Sequence, residues 1–479
     1  MESKMTPASP VSDHDLLTHH NKHAQKNGNE IVVFHISVPE EAESKNTGSQ
    51  DHRQMLSTKV YPRRWLMLLI FVTVSMLNAF QWIQFSIITS LLIKYYGVDS
   101  QTVNWTSLVY MVVYVPLIFP GAWVMDKMGL RVTLLIGSLG TAAGAWVKVL
   151  SVAPDRFYVA LIGQTIAAVS QVFVLSVPPN IAATWFGPDQ VSSACSIGVF
   201  GNQLGVALGF LLPPILVRDG TIEEIGSGLS LMFYIVAGLC TAVSILVIVV
   251  FQSKPPLPPS LARCSIDSST DSLNYSQSIK RIMWNRDYVL LLVTYGINVG
   301  VFYAMSTLLN QTILQHFPGQ EESAGQIGLT IVVCGMAGSV LGGVILDRTH
   351  KFKETTLAVY GMAVVGMVAY TFTFNVEIIA VTFVTAGAVG FFMTGYLPVG
   401  FEFAAELTYP EPEGTSSGLL NASAQIFGIV FTLLGGWLLD DYGDLVCNGT
   451  LTLALFIGAI VTMFIRPELR RQRAVNGFK

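Results

Sequence analysis

The sequence predicts an all-α membrane protein of twelve transmembrane helices, arranged as two six-helix bundles. Three observations lead to this fold class. Of the 479 residues, 52% are hydrophobic and only 12% are charged, whereas soluble proteins carry roughly 25% charged residues. About twelve apolar runs reach the ~20 residues that a helix needs to cross a hydrocarbon core of ~30 Å. A short charged motif also occurs twice at matching positions, which indicates an internal repeat.

The N-terminal segment, residues 1–58, is polar and has no apolar core of a signal peptide. Its composition predicts a mostly disordered cytoplasmic tail. The apolar stretch IVVFHISV at 31–38 could pair as a strand with a partner, but we favour a transiently ordered stretch.

The apolar runs form two sets of six, separated by a Pro- and Ser-rich segment that is typical of a linker. The runs begin near residues 65, 104, 131, 157, 191, 228, 287, 325, 355, 377, 414 and 449. The predicted domains are the tail (1–58), an N-terminal bundle (59–251), a cytoplasmic linker (252–285), a C-terminal bundle (286–466) and a cytoplasmic C-terminus (467–479).

Basic residues predict the orientation, because short cytoplasmic loops are rich in Lys and Arg. With the tail inside, 18 Lys and Arg residues flank the runs on the inner side. Only four lie on the outer side, namely Lys94, Lys148, Arg156 and Arg218. We therefore expect both termini in the cytoplasm.

The charged motif reads GAWVMDKMGLR at 121–131 and GGVILDRTHKFK at 342–353. In both copies a Gly is followed five residues later by an Asp and a basic residue, so Asp126 corresponds to Asp347. We call the difference between these two residue numbers the repeat offset. Gly permits close helix approach, and the Asp can face the positive N-terminal end of a helix in the other half. The motif thus predicts a latch on the cytoplasmic side, less securely for the degenerate second copy. The predicted gating residues are Asp126, Lys127, Arg131, Asp347 and Arg348.

Charged residues are scarce inside the runs, and no His lies within them. Neither the two facing carboxylates nor the nucleophile with a base that intramembrane proteolysis requires is visible, so we do not expect an enzyme. A proton-coupled carrier usually has a titratable group at mid-membrane, so passive uniport is favoured over coupling. Glu402 and Glu406 are the residues that could overturn this preference.

Amide and aromatic side chains occupy the middle of the runs instead. Trp82 in the first run and Tyr303 in the seventh are separated by the repeat offset, so they hold equivalent positions in the two halves. A quaternary ammonium suits two aromatic faces without a carboxylate, since each π face attracts it by ~0.5–2 kcal/mol. A Gln could bind a small hydroxyl on the same ligand. Trp82 could instead be a packing residue or interface anchor, but its symmetric partner favours the binding role.

From about Arg63 to Arg473 the chain resembles the feline leukaemia virus subgroup C receptor family of the major facilitator superfamily. The stretches that carry the resemblance are NAFQWIQ, VYVPLIFP, VSQVF, WFGP, FGNQLG, FLLPP, STLLNQ, GFFMTGYLP and EGTSSGLLNASAQIFG. The resemblance implies the major facilitator fold and transport of choline and ethanolamine, with a Trp and a Tyr as cation–π walls and Gln side chains near the hydroxyl. The matching positions are Trp82, Tyr303, Gln171 and Gln425, with Asn78 as a weaker match.

Two alternatives remain beside choline transport. The family was also described as haem transporters, but haem requires basic groups for its propionates and an axial ligand, and the runs offer no His and no mid-depth Arg. A non-transporting cell-surface receptor would not need the symmetric aromatic pair. We expect a monomer in the lipid bilayer of the plasma membrane, or of an intracellular membrane such as the mitochondrion or endoplasmic reticulum. We expect no cofactor, no metal and no nucleic-acid partner.

Overall fold

The computed structural model describes residues 32–36, 54–175, 177–187, 190–259, 275–349, 351–376, 378–409, 411, 413–466 and 470. Within these residues twelve helical spans are long and apolar enough to cross a membrane. We number them spans 1 to 12 in chain order: Arg63–Tyr96, Ser100–Met125, Lys127–Val149, Phe157–Trp185, Ser193–Leu216, Ile222–Val250, Arg286–His316, Glu321–Leu346, Phe352–Thr373, Ile379–Thr408, Gly414–Tyr442 and Asp444–Met463.

The twelve-helix prediction is confirmed, because a span begins close to each predicted start of an apolar run. Corresponding spans of the two halves begin at nearly the repeat offset from each other, as Ser100 of span 2 and Glu321 of span 8 do. The two copies of the charged motif therefore report a repeat that extends over both bundles. The halves pack against each other through spans 5 and 8 and through spans 2 and 11.

The elements themselves differ slightly from the spans, because some helices are interrupted or run together. The α-helices are Arg63–Ile83, Thr89–Tyr96, Ser100–Val149, Phe157–Leu175, Val177–Trp185, Val191–Leu216, Ile222–Val250, Tyr275–Trp284, Arg286–His316, Glu321–Thr349, Phe352–Thr373, Ile379–Thr408, Glu413–Tyr442 and Asp444–Met463. Two short 3₁₀ helices cover Ser86–Ile88 and Phe374–Val376.

Polar caps at helix starts explain several of these boundaries, since the first backbone N–H groups of a helix lack partners within it. The Asp99 carboxylate accepts a bond of 3.3 Å from the Thr102 N–H at the start of span 2. A capping box between Thr221 and Glu224 begins span 6. The Asn285 side chain accepts hydrogen bonds from the backbone N–H groups of Asp287 and Tyr288 at the start of span 7.

Span 1 is broken directly after Trp82. Its first helix ends at Ile83, a 3₁₀ turn covers Ser86–Ile88, and a second helix runs over Thr89–Tyr96. The sequence analysis did not predict this break, because no Pro or Gly marks it. We call residues Gln84–Tyr96 the break segment.

Gly129, near the start of span 3, interrupts the helix Ser100–Val149 where the chain passes from span 2 to span 3. Its φ is +79°, in the left-handed region that costs a side-chain-bearing residue energy and costs Gly little. The change of direction within GAWVMDKMGLR therefore depends on this Gly.

The segments outside the bundles hold more regular structure than expected. In the tail, Val32–Ile36 pairs antiparallel with Gln54–Thr58, whereas we predicted a transiently ordered stretch. The end of the linker forms the helix Tyr275–Trp284, where we expected no element. Arg281 of this helix lies 3.1 Å from the Glu411 carboxylate beyond span 10, which ties the linker helix to the C-terminal half.

Candidate functional site

Trp82 and Tyr303 meet at the interface of the two halves, on spans 1 and 7. Their ring centroids are 5.4 Å apart and the ring planes stand at 76°. The indole is buried and the phenol half-buried. The sequence analysis expected a cation between two opposed faces. The structure instead places the rings edge to face, so that they form a corner with two adjoining aromatic walls.

The Tyr303 ring is held by close packing from span 11. A methyl group added at Gly428 would lie 3.0 Å from a Tyr303 ring carbon and 2.9 Å from the Met111 sulfur. Only a Gly lets span 11 approach both side chains this closely. The side chain of Gln425, one turn earlier on span 11, hydrogen-bonds with Tyr303.

The two predicted glutamines are both buried, Gln171 on span 4 and Gln425 on span 11. Gln171 Oε1 makes no hydrogen bond with any described residue. A buried amide oxygen without a partner costs about 1–3 kcal/mol, so this atom is suited to accept a bond from a ligand hydroxyl. The two amides come from different halves, as the two rings do.

Asn78 has a different environment from the other predicted site residues. Its amide nitrogen donates to Thr141 Oγ1 at 3.0 Å and to the Ala167 carbonyl at 3.1 Å. These bonds join spans 1, 3 and 4 within the N-terminal half. They use both amide hydrogens of Asn78, which leaves only its oxygen for another contact.

The predicted latch residues lie where span 2 passes into span 3 and directly after span 8, on the side of the membrane that we call the tail side. Arg131 donates to the Ile248 carbonyl at 2.9 Å, a contact within the N-terminal half. Lys127 and Arg348 are exposed. The side chains of Asp126 and Asp347 lie outside the part of the structure that is described.

Hydrogen bonds between the halves gather on the opposite, distal side, where residues 97–99 join spans 1 and 2. Asp440 Oδ2 accepts from Ser100 Oγ at 2.7 Å and from Gln101 at 3.2 Å. Asn310 of span 7 donates to the Ile87 carbonyl at 2.7 Å and accepts from the Ser90 N–H at 3.1 Å. These contacts close the distal side and leave the aromatic corner beneath them.

The sequence analysis missed this distal set. Asp440 stands at the end of an apolar run, where a charged residue is ordinary. No pattern in the sequence shows that a residue of span 11 faces one of span 2.

Lys148 is a second residue whose role the sequence analysis missed. We counted it among the outer basic residues, and it does lie in the last turn of span 3 on the distal side. Its side chain is buried, however, with only 1% exposed. Its ammonium donates to Gln81 Oε1 at 2.6 Å and to Gln164 Oε1 at 2.7 Å inside the N-terminal half. Four outer basic residues against 18 leave the predicted orientation unchanged.

Glu402 and Glu406, which could have argued for ion coupling, lie on the tail-side half of span 10. Glu402 is exposed, and Glu406 is 3% exposed. Both have partners within the protein.

Three comparisons with known proteins agree with this architecture. The sequence model of the family described as Major Facilitator Superfamily matches residues 69–425 of this chain. Among solved structures, a D-xylose–proton symporter superposes with a TM-score of 0.67 at 13% identity, over 85% of this chain and 98% of its own. The major facilitator superfamily transporter FucP in the outward conformation superposes with a TM-score of 0.61 at 15% identity, over 84% of this chain and 99% of its own. At these identities the structures show the fold alone.

Close relatives have names that specify a substrate. The choline/ethanolamine transporter flvcr2b of Danio rerio is 52% identical over 87% of this chain and 86% of its own. The choline/ethanolamine transporter FLVCR2 of Homo sapiens is 52% identical over 87% of this chain and 80% of its own. The choline/ethanolamine transporter FLVCR1 of Felis catus is 51% identical over 86% of this chain and 74% of its own. The resemblance predicted from the sequence is thereby confirmed. The chain belongs to the major facilitator superfamily and, within it, to the FLVCR family, and it is a membrane transporter rather than an enzyme.

Proposed function

We propose that this protein is a facilitative uniporter of choline and related small amines such as ethanolamine, which crosses the membrane by alternating access. The observation that carries the proposal is the corner of Trp82 and Tyr303, one ring from each half, at 5.4 Å and 76°. The names of relatives about 50% identical to the chain support the same substrates.

A quaternary ammonium fits in such a corner because it can lie against two aromatic faces at once. Each face contributes ~0.5–2 kcal/mol, and more where the cation is desolvated. The ligand has no N–H to pair, so neutral walls do not leave a donor unsatisfied. The free Oε1 of Gln171 accepts the ligand hydroxyl, while Gln425 holds the Tyr303 phenol in place.

Alternating access follows from the distribution of contacts between the halves. The described distal bonds, centred on Asp440 and Asn310, hold that side closed. Rotation of the two six-helix halves breaks these bonds and closes the tail side. In that second state we assign the latch to Asp126, Lys127 and Arg131, with Asp347 and Arg348 as the weaker second copy. We place the tail side, with both termini, in the cytoplasm of a cell whose plasma membrane holds the protein.

Uniport of a cation through a neutral site moves one charge across the membrane. An inside-negative potential of 100 mV therefore favours uptake by ~2.3 kcal/mol. A carrier that exchanged the cation for a proton would not show this dependence.

The test is uptake of labelled choline into cells that express the protein, with the potential set by potassium and valinomycin. We expect saturable uptake that rises with inside-negative potential. Trp82→Ala should raise the KM about tenfold, which corresponds to ~1.4 kcal/mol. Trp437→Ala, at an indole that is 49% exposed, is the matched control and should leave the KM unchanged.

The three parts of the proposal fail in different ways. Normal uptake by a Trp82→Ala protein at matched surface level would contradict the site. An absence of choline uptake by well-expressed wild type would contradict the substrate. Uptake that ignores the potential would contradict uniport alone.

A further inference from the structure

Lys148 carries a buried ammonium at the end of span 3, surrounded by side chains of spans 1, 4 and 6. Two of its hydrogen bonds go to the amide oxygens of Gln81 on span 1 and Gln164 on span 4. The ammonium also lies 5.7 Å from the centre of the Phe85 ring. The Cys240 thiol of span 6 accepts a hydrogen bond of 3.4 Å from Gln81 Nε2 beside it. Neutral oxygens and a ring, rather than a carboxylate, therefore hold the cation.

The ammonium fixes the direction of both amides. Because each oxygen points at Lys148, each NH₂ group must point the opposite way. Gln164 Nε2 donates to the main-chain carbonyl of Gln81 at 2.6 Å and to that of Thr106 at 3.2 Å. The reverse orientation of Gln164 would set its oxygen against a carbonyl oxygen.

The carbonyl of Gln81 is where the break in span 1 leaves an acceptor to be satisfied. In a continuous helix it would accept from the N–H of Phe85, four residues later. The helix ends at Ile83, and Gln164 supplies the side-chain N–H instead. On the other flank of the break segment, Asn310 of the C-terminal half donates to the Ile87 carbonyl. The Gln81 carbonyl just before the break segment is thus bonded to the N-terminal half, and the Ile87 carbonyl inside the segment is bonded to the C-terminal half.

We propose that Lys148 is a positioning residue that, through Gln164 and Gln81, ties the junction at which the break segment starts to the N-terminal half. The segment then moves with that half when the distal contacts open. This inference rests on the alternating-access mechanism proposed above. The far end of the segment has its own bonds to the N-terminal half, from Tyr96 to the Ser151 carbonyl and from Lys94 to Asp219. Without the tie at its start, the turn at Ser86–Ile88 stays on Asn310 while the rest of the half rotates, and opening of the distal side becomes inefficient.

Substrate binding should depend on Lys148 much less than reorientation does. Trp82 belongs to the helix before the break, and Asn78 ties that helix to spans 3 and 4 independently. Lys148→Met keeps the length and apolar stem of the side chain and removes the ammonium. We expect its maximal uptake rate to fall five- to tenfold at matched surface level, with the KM of choline within twofold of wild type.

Two variants separate the tie from a general loss of stability. Lys148→Arg keeps a cation and should recover at least half of the maximal rate. Tyr360→Phe removes a buried hydrogen bond to the Thr294 carbonyl in the C-terminal half and should leave the rate within twofold. A KM that rises in proportion to the loss of rate in Lys148→Met would overturn the proposal, because the lysine would then act on Trp82.

A second measurement needs no substrate. Ser86 lies in the break and is 1% exposed, so a Ser86→Cys protein reports opening of the segment by its rate of maleimide labelling after purification. We expect Lys148→Met to accelerate this labelling at least fivefold and Tyr360→Phe to leave it unchanged. Equal labelling in Lys148→Met and its parent would overturn the proposal.

Gln164→Glu provides the same test if Lys148→Met does not fold. It keeps an oxygen for Lys148 but removes the N–H that reaches the Gln81 carbonyl, so labelling at Ser86→Cys should again accelerate. Unchanged labelling in this variant would contradict the tie. If wild type fails to carry choline while the labelling differences appear, the proposed substrate is wrong and the tie stands.

Discussion

The N-terminal half buries a lysine among amides, whereas the C-terminal half fills its interior with tyrosines. Lys148 is bonded by Gln81 and Gln164. In the other half, Tyr396 lies with its ring 5.8 Å from that of Tyr295 and 5.3 Å from that of Tyr360. The repeat offset places the apolar Phe302 at the position equivalent to Gln81. The fold therefore repeats its backbone without repeating the interactions that join its helices.

Close helix packing differs between the halves in the same manner. In the N-terminal half the small residue is on span 5, where a methyl group at Gly205 would lie 2.2 Å from the Met76 carbonyl oxygen of span 1. In the C-terminal half the small residue is on span 7, where a methyl group at Gly300 would lie 2.8 Å from the Gly428 nitrogen of span 11. Either partner of a helix pair can supply the Gly, because only the sum of the two surfaces limits the approach.

The largest effect is expected at Gly205, where the obstacle is backbone and cannot rotate away. Gly205→Ala should destabilise the protein by about 3 kcal/mol, at the upper end of the cost of overpacking. The measurement is the apparent melting temperature of purified protein in detergent. Gly238→Ala, at a position with nothing within 4 Å, should melt as wild type does. A melting temperature equal to that of the control would show that spans 1 and 5 can separate freely.

The comparison of the two interiors predicts that removing a buried donor destabilises the N-terminal half more than the C-terminal half. Lys148→Met leaves two buried amide oxygens without a donor and should cost about 2 kcal/mol, whereas Tyr360→Phe leaves one carbonyl and should cost about 1 kcal/mol. Thermal melts under identical conditions rank the two. The reverse order would mean that desolvation of the ammonium outweighs the bonds it makes.

The two walls of the aromatic corner should also respond unequally. Tyr303→Phe keeps the C-terminal ring and loses only the hydroxyl that pairs with Gln425, so the KM of choline should rise two- to threefold, about 0.5 kcal/mol. Uptake kinetics beside Trp82→Ala measure this. An effect as large as that of Trp82→Ala would assign binding to the hydroxyl rather than to the π faces.

The smallest effect is expected at the distal ends, where Lys94 pairs with Asp219 in the N-terminal half and His316 with Asp444 in the other. The hydrogen bond from Lys94 lowers the pKa of the Asp219 carboxyl. A lowered carboxyl pKa stabilises the fold above the unfolded value of ~3.9, and this is lost as the pH falls through the folded value. Because both side chains are about half exposed, Asp219→Asn should cost only about 0.3 kcal/mol at pH 7.

The pH dependence gives this prediction its control. The difference in melting temperature between Asp219→Asn and wild type should shrink as the pH falls below ~3.9 through the lowered pKa of Asp219, and it should also shrink in high salt. A difference that persists at low pH would mean that the variant acts through packing instead.

The sequence by itself determined the membrane location, the twelve spans and the two-half repeat. Apolar length and the spacing of Gly121–Asp126 and Gly342–Asp347 are written along the chain, and the bilayer allows only helices or closed barrels for such runs. It also paired Trp82 with Tyr303, because a repeat turns distance along the chain into equivalence in space.

Only the tertiary structure decided how these residues meet. In the tertiary structure the Trp82 and Tyr303 rings stand edge to face, and the Asn78 amide donates a hydrogen bond to span 3. Lys148 is buried, and Asp440 of span 11 accepts a hydrogen bond from span 2. Span 1 is also broken after Trp82, although no Pro or Gly marks the place, because a side-chain amide from span 4 satisfies the freed carbonyl. Such features depend on partners far away in sequence, and a helix pattern gives the face of a residue but not the neighbour it contacts.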